Sequence, residues 1–356
     1  MGELITRRTF LGSVAIVGGA TVLEACGAGS AVTTPTSGAS ASAVATATPA
    51  PTRIAVKAAW VALTSNQMVW PVAKEAGYFD KYGVDMDLGY ISGSSTAVPA
   101  LIAGNIGMSS VAGSAVVSAQ AGGSDIVMVA GFLNIAIFRV IAQPTFTSIA
   151  DLKGKTIAVT RIGNADYFAW QSIAAKQGWR ITDLNFVNGT DVNGQVALLK
   201  SKNVDAIAVS PPNNVLAVQA GGKEIFDTAT LNEPEQNVGI AATRAYIAQN
   251  RGAVLSVVKA SIEAMARWKR DPAFVKSVIK TYLKTDDPQF LDVGYSAYTD
   301  IWPQAPYPTV PGLQRVIDQV TTQNPKAKEL RPDQMIDNSI VAELEQSGFI
   351  KQVYAK

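Results

Sequence analysis

The sequence predicts an α/β protein with two lobes, each a mostly parallel sheet flanked by helices, joined by two hinge crossings. From residue 53 onward, short apolar runs alternate with segments of helical period, which is typical of parallel sheets covered by helices on both faces. A weak internal repeat, with an offset of 97 to 99 residues, relates the two halves. The length of 356 residues is enough for about two domains.

The expected strands and helices follow from the period of the apolar residues. Apolar runs of strand length lie at residues 54–60, 84–90, 106–111, 126–131 and 238–246. Segments with an apolar stripe of helical period lie at residues 69–76, 98–103, 115–121, 254–269, 272–283 and 310–322. Pro71 is compatible with the first of these helices because it lies near the helix start. The chain beyond the last predicted strand is therefore expected to be largely helical.

The internal repeat indicates that the lobes share one topology. The tetrapeptide Gln-Ala-Gly-Gly closes a predicted helix at residues 120–123 and again at residues 219–222. Asn105 with Ile106 and Asn203 with Val204 each open a predicted strand. The alternative explanation is that units of one fold class converge on Ala, Gly and Val.

The order of the elements predicts where the lobes begin and end. The first lobe is expected to comprise residues 53–141 and 239–356, including the C-terminal helices, and the second lobe residues 142–238. The chain would then cross between lobes near residues 142–147 and 231–238. Two crossings form a hinge and leave a cleft between the lobes.

The first 52 residues are expected to direct export and attachment. Residues 6–11 (Thr-Arg-Arg-Thr-Phe-Leu) resemble a twin-arginine signal, and the apolar run at 11–23 fits a signal-peptide core. It ends in Leu-Glu-Ala-Cys, which resembles a lipobox, so residues 1–25 are expected to be removed and Cys26 lipidated. Residues 26–52 contain no charged side chain and are expected to form a disordered tether. A secretory signal with a coincidental Cys is the alternative.

Composition excludes several classes of protein. The sequence contains no His and one Cys, which removes Ser-His and Cys-His nucleophile pairs, internal disulfides and most transition-metal sites. We therefore expect no catalytic residues, no metal and no cofactor. The net charge of +2 is too small to indicate nucleic acid as a partner.

Several stretches carry a resemblance to a known family. They lie at residues 72–79, 82–88, 150–159, 198–206, 306–310 and 324–328. In this order they resemble the ABC-transporter substrate-binding proteins for nitrate, sulfonates, taurine and thiamine-pyrimidine precursors. The resemblance implies a type II periplasmic-binding-protein fold, no catalysis, and a permease and cytoplasmic ATPase as partners. Gly107 departs from the pattern, since family members often carry an acidic residue there.

The candidate site follows from topology. In open parallel sheets, ligands bind at the carboxyl ends of strands, where helix N termini present free N–H groups. The candidate ligand-binding residues in such loops are Ser65, Asn66, Ser92, Gly93, Ser94, Ser95, Ser114, Arg161, Gly163, Asn164, Tyr167, Asn193 and Asn213. Each polar residue has an ordinary alternative as a helix cap, and Asp166 is interpreted as a helix-start carboxylate. Arg161 either balances an anionic ligand or is a surface charge, and Tyr167 is a candidate for stacking on a ring.

The predicted function is that of a monomeric, extracytoplasmic solute-binding lipoprotein, anchored to the outer face of the cytoplasmic membrane. It would deliver a small polar or aromatic organic molecule or an anion to an ABC importer. Two alternatives remain open at this point: a sensory receptor with the same fold, and an enzyme that works without His.

Overall fold

Two five-stranded sheets organise the chain in the computed structural model, which describes residues 53–355. The predicted signal sequence, Cys26 and the whole of the predicted tether lie outside the described residues. The helices within residues 53–355 include none that is both long and apolar enough to span a bilayer.

The strands and helices have the following bounds. The strands are β1 (Ile54–Trp60), β2 (Val84–Tyr90), β3 (Met108–Val111), β4 (Ile126–Ile135), β5 (Arg139–Ala142), β6 (Thr156–Val159), β7 (Asn185–Asn188), β8 (Ala206–Val209), β9 (Lys223–Asp227) and β10 (Pro234–Thr243). The helices are α1 (Val69–Glu75), α2 (Tyr78–Lys81), α3 (Ser94–Ile102), α4 (Gly113–Ala121), α5 (Ala165–Lys176), α6 (Val192–Lys200), α7 (Asn213–Gln219), α8 (Arg244–Gln249), α9 (Arg251–Arg270), α10 (Pro272–Leu283), α11 (Pro288–Thr299), α12 (Val310–Thr321), α13 (Ser339–Gln346) and α14 (Phe349–Tyr354). Short 3₁₀ helices lie at Ser65–Gln67, Ile149–Leu152, Ile181–Asp183, Thr228–Leu231, Pro325–Glu329 and Pro332–Met335.

The two sheets have the same internal arrangement. The first sheet has the order β2-β1-β3-β10-β4, with β1 parallel to β2 and β3 and with β10 antiparallel to its neighbours. The second has the order β7-β6-β8-β5-β9, with β6 parallel to β7 and β8 and with β5 antiparallel to its neighbours. Each sheet therefore has one strand that runs against the others. The predicted α/β class, with two mostly parallel sheets, is confirmed.

The chain changes sheets earlier than the sequence predicts. It enters the second sheet between β4 and β5, at residues 136–138, and returns to the first between β9 and β10. The predicted first crossing at residues 142–147 lies after β5, which pairs with β8 and β9 of the second sheet. The reason is that residues 126–142 form an almost unbroken apolar run, so periodicity gives no sign of the break within it.

The predicted boundaries assign helix α12 to the first lobe alone. In the structure, this helix packs against both lobes. It contacts α4 and β10 of the first lobe. Leu313 and Ile317 also pack into the apolar core of the second lobe. Gln319 Nε2 donates to Ser172 Oγ on α5 at 3.1 Å, and Gln171 Nε2 donates to Thr322 Oγ1 at 2.8 Å. Besides the two hinge crossings, α12 is thus a further link between the lobes.

Gly107 departs from the family pattern for a packing reason. It precedes β3, at the end of the strand opposite to the cleft. A Cβ at this position would overlap the ring of Tyr246 on α8. The absence of an acidic side chain here therefore permits this contact and leaves the cleft unaltered.

Candidate functional site

A cavity of about 90 Å³ lies between the lobes, at the carboxyl ends of the parallel strands. The first lobe lines it with residues 61–64, Asn66, Gln67, Tyr90, residues 92–94, Ala112, Asn237 and Val238. The second lobe lines it with Phe138, Thr160, residues 164–166, residues 190–192, Gln195 and residues 208–210. The cavity thus has one wall from each lobe.

Five of the predicted residues line this cavity: Asn66, Ser92, Gly93, Ser94 and Asn164. They follow β1, β2 and β6, in the connecting loops or in the first turn of the next helix. The parallel strands of each sheet direct these loops to the same edge, which is why positions far apart in sequence meet here.

Three predicted hydroxyl residues lie off the cavity wall. Ser65 is fully buried, and its Oγ faces Gly294 on α11, where an added Cβ would lie 2.7 Å away. The Oγ atoms of Ser95 and Ser114 are also buried, within the first lobe. A position at a strand end does not settle which way a short side chain turns, so the sequence could not separate these serines from Ser94.

The remaining predicted residues contribute elsewhere. Tyr167 is buried in the core of the second lobe, where its ring meets Phe168 and Phe186 edge-on, so the expectation that it stacks on a ligand is corrected. Asn213 Nδ2 donates to the carbonyl of Leu63 at 3.1 Å and so links the lobes.

Three more predicted positions are on the solvent side. Arg161 and Asn193 are exposed, and Gly163 is half-buried. The guanidinium of Arg161 lies 3.5 Å from Thr96 Oγ1 at the rim of the cleft. Its position favours the surface-charge interpretation over a direct anion contact.

The cavity wall contains a buried carboxylate that the sequence interpretation set aside. Asp166 is 5% exposed and belongs to the first turn of α5, as expected, but it also lines the cavity. Its carboxylate accepts from Thr160 N at 2.5 Å, Thr160 Oγ1 at 2.9 Å and Gln195 Nε2 at 3.0 Å. Burial raises the pKa of Asp166 to about 6, and the hydrogen bonds from Thr160 oppose that rise.

The amide of Asn164 is oriented by this carboxylate. Thr160 has one hydroxyl proton, which it donates to Asp166, so its oxygen accepts from Asn164 Nδ2 at 3.0 Å. The carbonyl oxygen of Asn164 is left buried without a hydrogen-bond partner among the described residues. On the opposite wall, Asn66 Nδ2 donates to Ser210 Oγ at 3.4 Å. The Oδ1 atom of Asn66 also has no hydrogen-bond partner among the described residues.

Two hydrogen bonds join the lobes at Pro211. Thr64 Oγ1 and the hydroxyl of Tyr298, both from the first lobe, donate to the carbonyl of Pro211 at 2.9 Å and 2.8 Å. Burial raises the pKa of Tyr298, so this hydroxyl stays protonated and remains a donor.

A polar group of three side chains lies beside the cavity mouth. The ring of Tyr90 packs on Trp60, with ring centroids 4.8 Å apart. Burial and the charge of Asp191 raise the pKa of Tyr90, while a hydrogen bond with Ser92 opposes that rise. Tyr90 and Ser92 belong to the first lobe and Asp191 to the second, so the charge of Asp191 acts on a neutral phenol of the other lobe.

The described residues form no cluster of three or more Asp, Glu, Cys or His side chains that could hold a metal ion. The cavity offers hydroxyl, amide and carboxylate groups on a largely apolar background. This combination suits the binding of a small molecule through directed hydrogen bonds.

A family described as NMT1/THI5 like matches residues 65–274, more than half of the chain. The chain belongs to the NMT1/THI5-like family. The matched segment of this NMT1/THI5-like protein includes nearly all of the residues that line the cavity.

Solved structures with this fold show the same architecture at low identity. A protein of Bordetella bronchiseptica RB50 has a TM-score of 0.71 at 20% identity, covering 83% of this chain and 98% of that one. The periplasmic nitrate-binding protein NrtA of Synechocystis PCC 6803 has a TM-score of 0.70 at 15% identity, covering 83% and 89%. The periplasmic aliphatic sulphonate binding protein SsuA of Escherichia coli has a TM-score of 0.62 at 19% identity, covering 80% and 92%. These similarities establish the periplasmic-binding-protein fold.

A curated relative described as a binding protein, from Brucella abortus (strain 2308), is 29% identical over 161 residues. The match covers 45% of this chain and 49% of the relative. The chain thus spans about half the length of the curated relatives it matches.

Proposed function

We propose that this protein is an extracytoplasmic solute-binding protein that encloses a small molecule and delivers it to an ABC importer. The observation that carries the proposal is the cavity lined by both lobes, with Asn66 on one wall and Asn164 on the other. The solute class, on family grounds, comprises small polar or aromatic organic molecules and anions. The names of NrtA and SsuA, which bind nitrate and aliphatic sulphonates, support this class.

Closure is driven by contacts that exist only when the lobes meet. A ligand shifts an open–closed equilibrium only by the difference between its affinities for the two states. A molecule held by Asn66 and Asn164 at once gains its second set of contacts on closure. The hydrogen bonds from Thr64 and Tyr298 to Pro211 add to the same state.

The ligand leaves the cavity chemically unchanged in this proposal. Asp166, the buried titratable group on the wall, is held by three hydrogen bonds from Thr160 and Gln195. A carboxylate fixed in this way is suited to positioning a ligand. Steady conversion of a bound molecule, followed by mass spectrometry, would support an enzyme instead.

The partners in the proposal are a membrane permease and, through it, a cytoplasmic ATPase. Lipid attached to Cys26 would hold the monomer at the outer face of the membrane. The segment 26–52 would act as a tether with a root-mean-square reach of roughly 25–30 Å, long enough for the two lobes to reorient and dock. Removal of residues 1–25, by the twin-arginine or the general secretory route, would precede this attachment.

One measurement, made on the full chain and on two variants of it, tests the ligand site. Small-angle scattering should show a more compact particle when ligand is present than after the ligand is removed by dialysis under mild denaturant. An Asn164→Trp variant, whose indole blocks the cavity wall, should show no such change, whereas Asn105→Trp, at an exposed position of the first lobe, should behave like the wild type. An identical response of both variants would contradict a ligand site between the lobes.

The partner is tested by crosslinking in membranes of the native cell. Recovery of a permease with the full chain supports transport, and recovery of a sensory kinase ectodomain in its place would support the receptor alternative. A Cys26→Ser variant should leave the membrane fraction if lipid provides the anchor.

A further inference from the structure

The charge of the cavity wall differs from what an anion needs. The residues that line the cavity, all within the described part of the chain, include the carboxylates of Asp166 and Asp191 and no Lys or Arg side chain. Arg161 is exposed at the rim and contacts Thr96. Arg139, next in sequence to the lining residue Phe138, is paired with Asp227 and Glu224.

The unpaired polar atoms in the cavity are hydrogen-bond acceptors. Asn66 and Asn164 are 5% and 7% exposed, and their carbonyl oxygens lack partners among residues 53–355. A buried acceptor without a donor destabilises a protein, so such atoms are usually paired with a missing group. Asn66 and Asn164 line opposite walls of the cavity, so both side chains lie beside one enclosed molecule. The missing group therefore donates hydrogen bonds.

The second lobe also fills the positions that an anion would take. Asp166 places its own carboxylate in the first turn of α5, and the N–H of Gly194 on α6 donates to Asp191 Oδ1 at 2.8 Å. Helix N termini bind anions through such N–H groups when these are free. On the first-lobe wall, α3 carries no side-chain cap within the described structure, so an acceptor atom of a ligand fits there. A ligand would thus point donors at Asn164 and Asp166 on the second lobe and at Asn66 on the first, with an acceptor atom near the start of α3.

We propose that the solute carries a nitrogen group with several N–H donors, uncharged or cationic, which binds between Asp166, Asn164 and Asn66. We expect simple anions without donors, such as nitrate or a sulfonate, to bind this cavity more weakly than such a solute. This inference rests on the proposed solute-binding function and narrows its substrate class. It separates the chain from the nitrate- and sulphonate-binding proteins that share its fold.

Three molecules of one shape provide the test: acetate, acetamide and acetamidinium. They differ in charge and in N–H donors, and have almost the same size. Binding to the full chain is measured by ligand-observed NMR at about pH 7.5, up to about 50 mM, a range that detects millimolar affinity. We expect acetamidinium to bind at least about tenfold more tightly than acetate, with acetamide between them, because bonds to charged groups are the strongest. The larger series benzoate, benzamide and benzamidinium repeats the comparison.

A variant pair locates the effect. Asp166→Asn should weaken acetamidinium binding about tenfold or more and change acetamide binding little, because the neutral probe gains less from the carboxylate charge. Asp85→Asn removes an exposed carboxylate from β2 and should change neither affinity. If the Asp166→Asn variant fails to fold, the relative affinities of wild type for acetate, acetamide and acetamidinium still test the proposed ligand class.

The outcomes separate the two proposals. Acetate or nitrate binding more tightly than acetamidinium overturns the ligand class and leaves solute binding intact. If none of the probes binds and the lobes also fail to close around any co-purified molecule, solute binding itself is contradicted.

Discussion

Replacing Asp166 by Asn should change how the stability of the ligand-free protein depends on pH. Burial raises the pKa of this carboxyl from 3.8 to about 6 in the folded state. A raised pKa means that the folded protein holds this proton more tightly than the unfolded chain does. Protonated Asp166 therefore makes its full favourable contribution to the unfolding free energy below about pH 4, and this contribution is lost as the pH rises through 6.

The size of this loss follows from the shift. About two pKa units correspond to about 3 kcal/mol of unfolding free energy, since one unit is about 1.4 kcal/mol. The Asn variant lacks this titrating group. Between about pH 4 and pH 7, the unfolding free energy of wild type should therefore fall by about 3 kcal/mol relative to that of the variant. Burial also raises the pKa of Glu235, but that group is present in both proteins and cancels in the difference.

Urea unfolding at several pH values between about 4 and 8 measures both proteins. Asp85→Asn, at an exposed position, is the control and should leave the pH dependence of wild type unchanged. A stability difference between wild type and Asp166→Asn that is constant over this range would refute the placement of a buried carboxylate with a raised pKa in the cavity wall.

Three further substitutions test the closed cleft and the packing. Gly93→Ala should weaken acetamidinium binding, because Gly93 has φ of +85° and an added Cβ would lie 3.3 Å from Asn164 Nδ2 across the cleft; calorimetric affinity equal to wild type would argue against that approach. Thr64→Val removes one hydrogen bond between the lobes, worth about 1 kcal/mol, and should weaken binding about fivefold at unchanged thermal stability of the open form. Gly107→Asp, which restores the acidic residue common in the family, should lower the melting temperature because its Cβ overlaps the ring of Tyr246; a melting temperature at or above that of wild type would contradict the packing.

The fold was accessible from the sequence because its signals are local. Alternating strand and helix periods predict the parallel strands, and topology then predicts that the loops before α3 and α5 face one another. The crossing at residues 136–138 is not predicted because the apolar run through β4 and β5 is interrupted only by Asn134 and Arg139, without a cluster of Gly, Pro or polar residues typical of a loop. Helix α12 shows a clear amphipathic stripe, but a stripe does not say which lobe it covers.

The site was predicted only in part, for reasons of side-chain direction. Positions after strands predict Asn164 and Ser94, which line the cavity. The same reasoning also selects Tyr167, but its ring packs against Phe186 in the core of the second lobe. Asp166 was correctly assigned to a helix start. Its role at the cavity depends on burial and on the tertiary contact with Gln195, which comes from a later helix and leaves no sign in the local sequence.

The central claim is that one small molecule fills the space between the lobes and satisfies acceptors on both. Mass spectrometry of the denatured full chain, purified without dialysis, identifies what it carries. We predict a small molecule with N–H donors in stoichiometric amount, absent from the Asn164→Trp variant. An anion without donors, or equal retention by that variant, would contradict the claim.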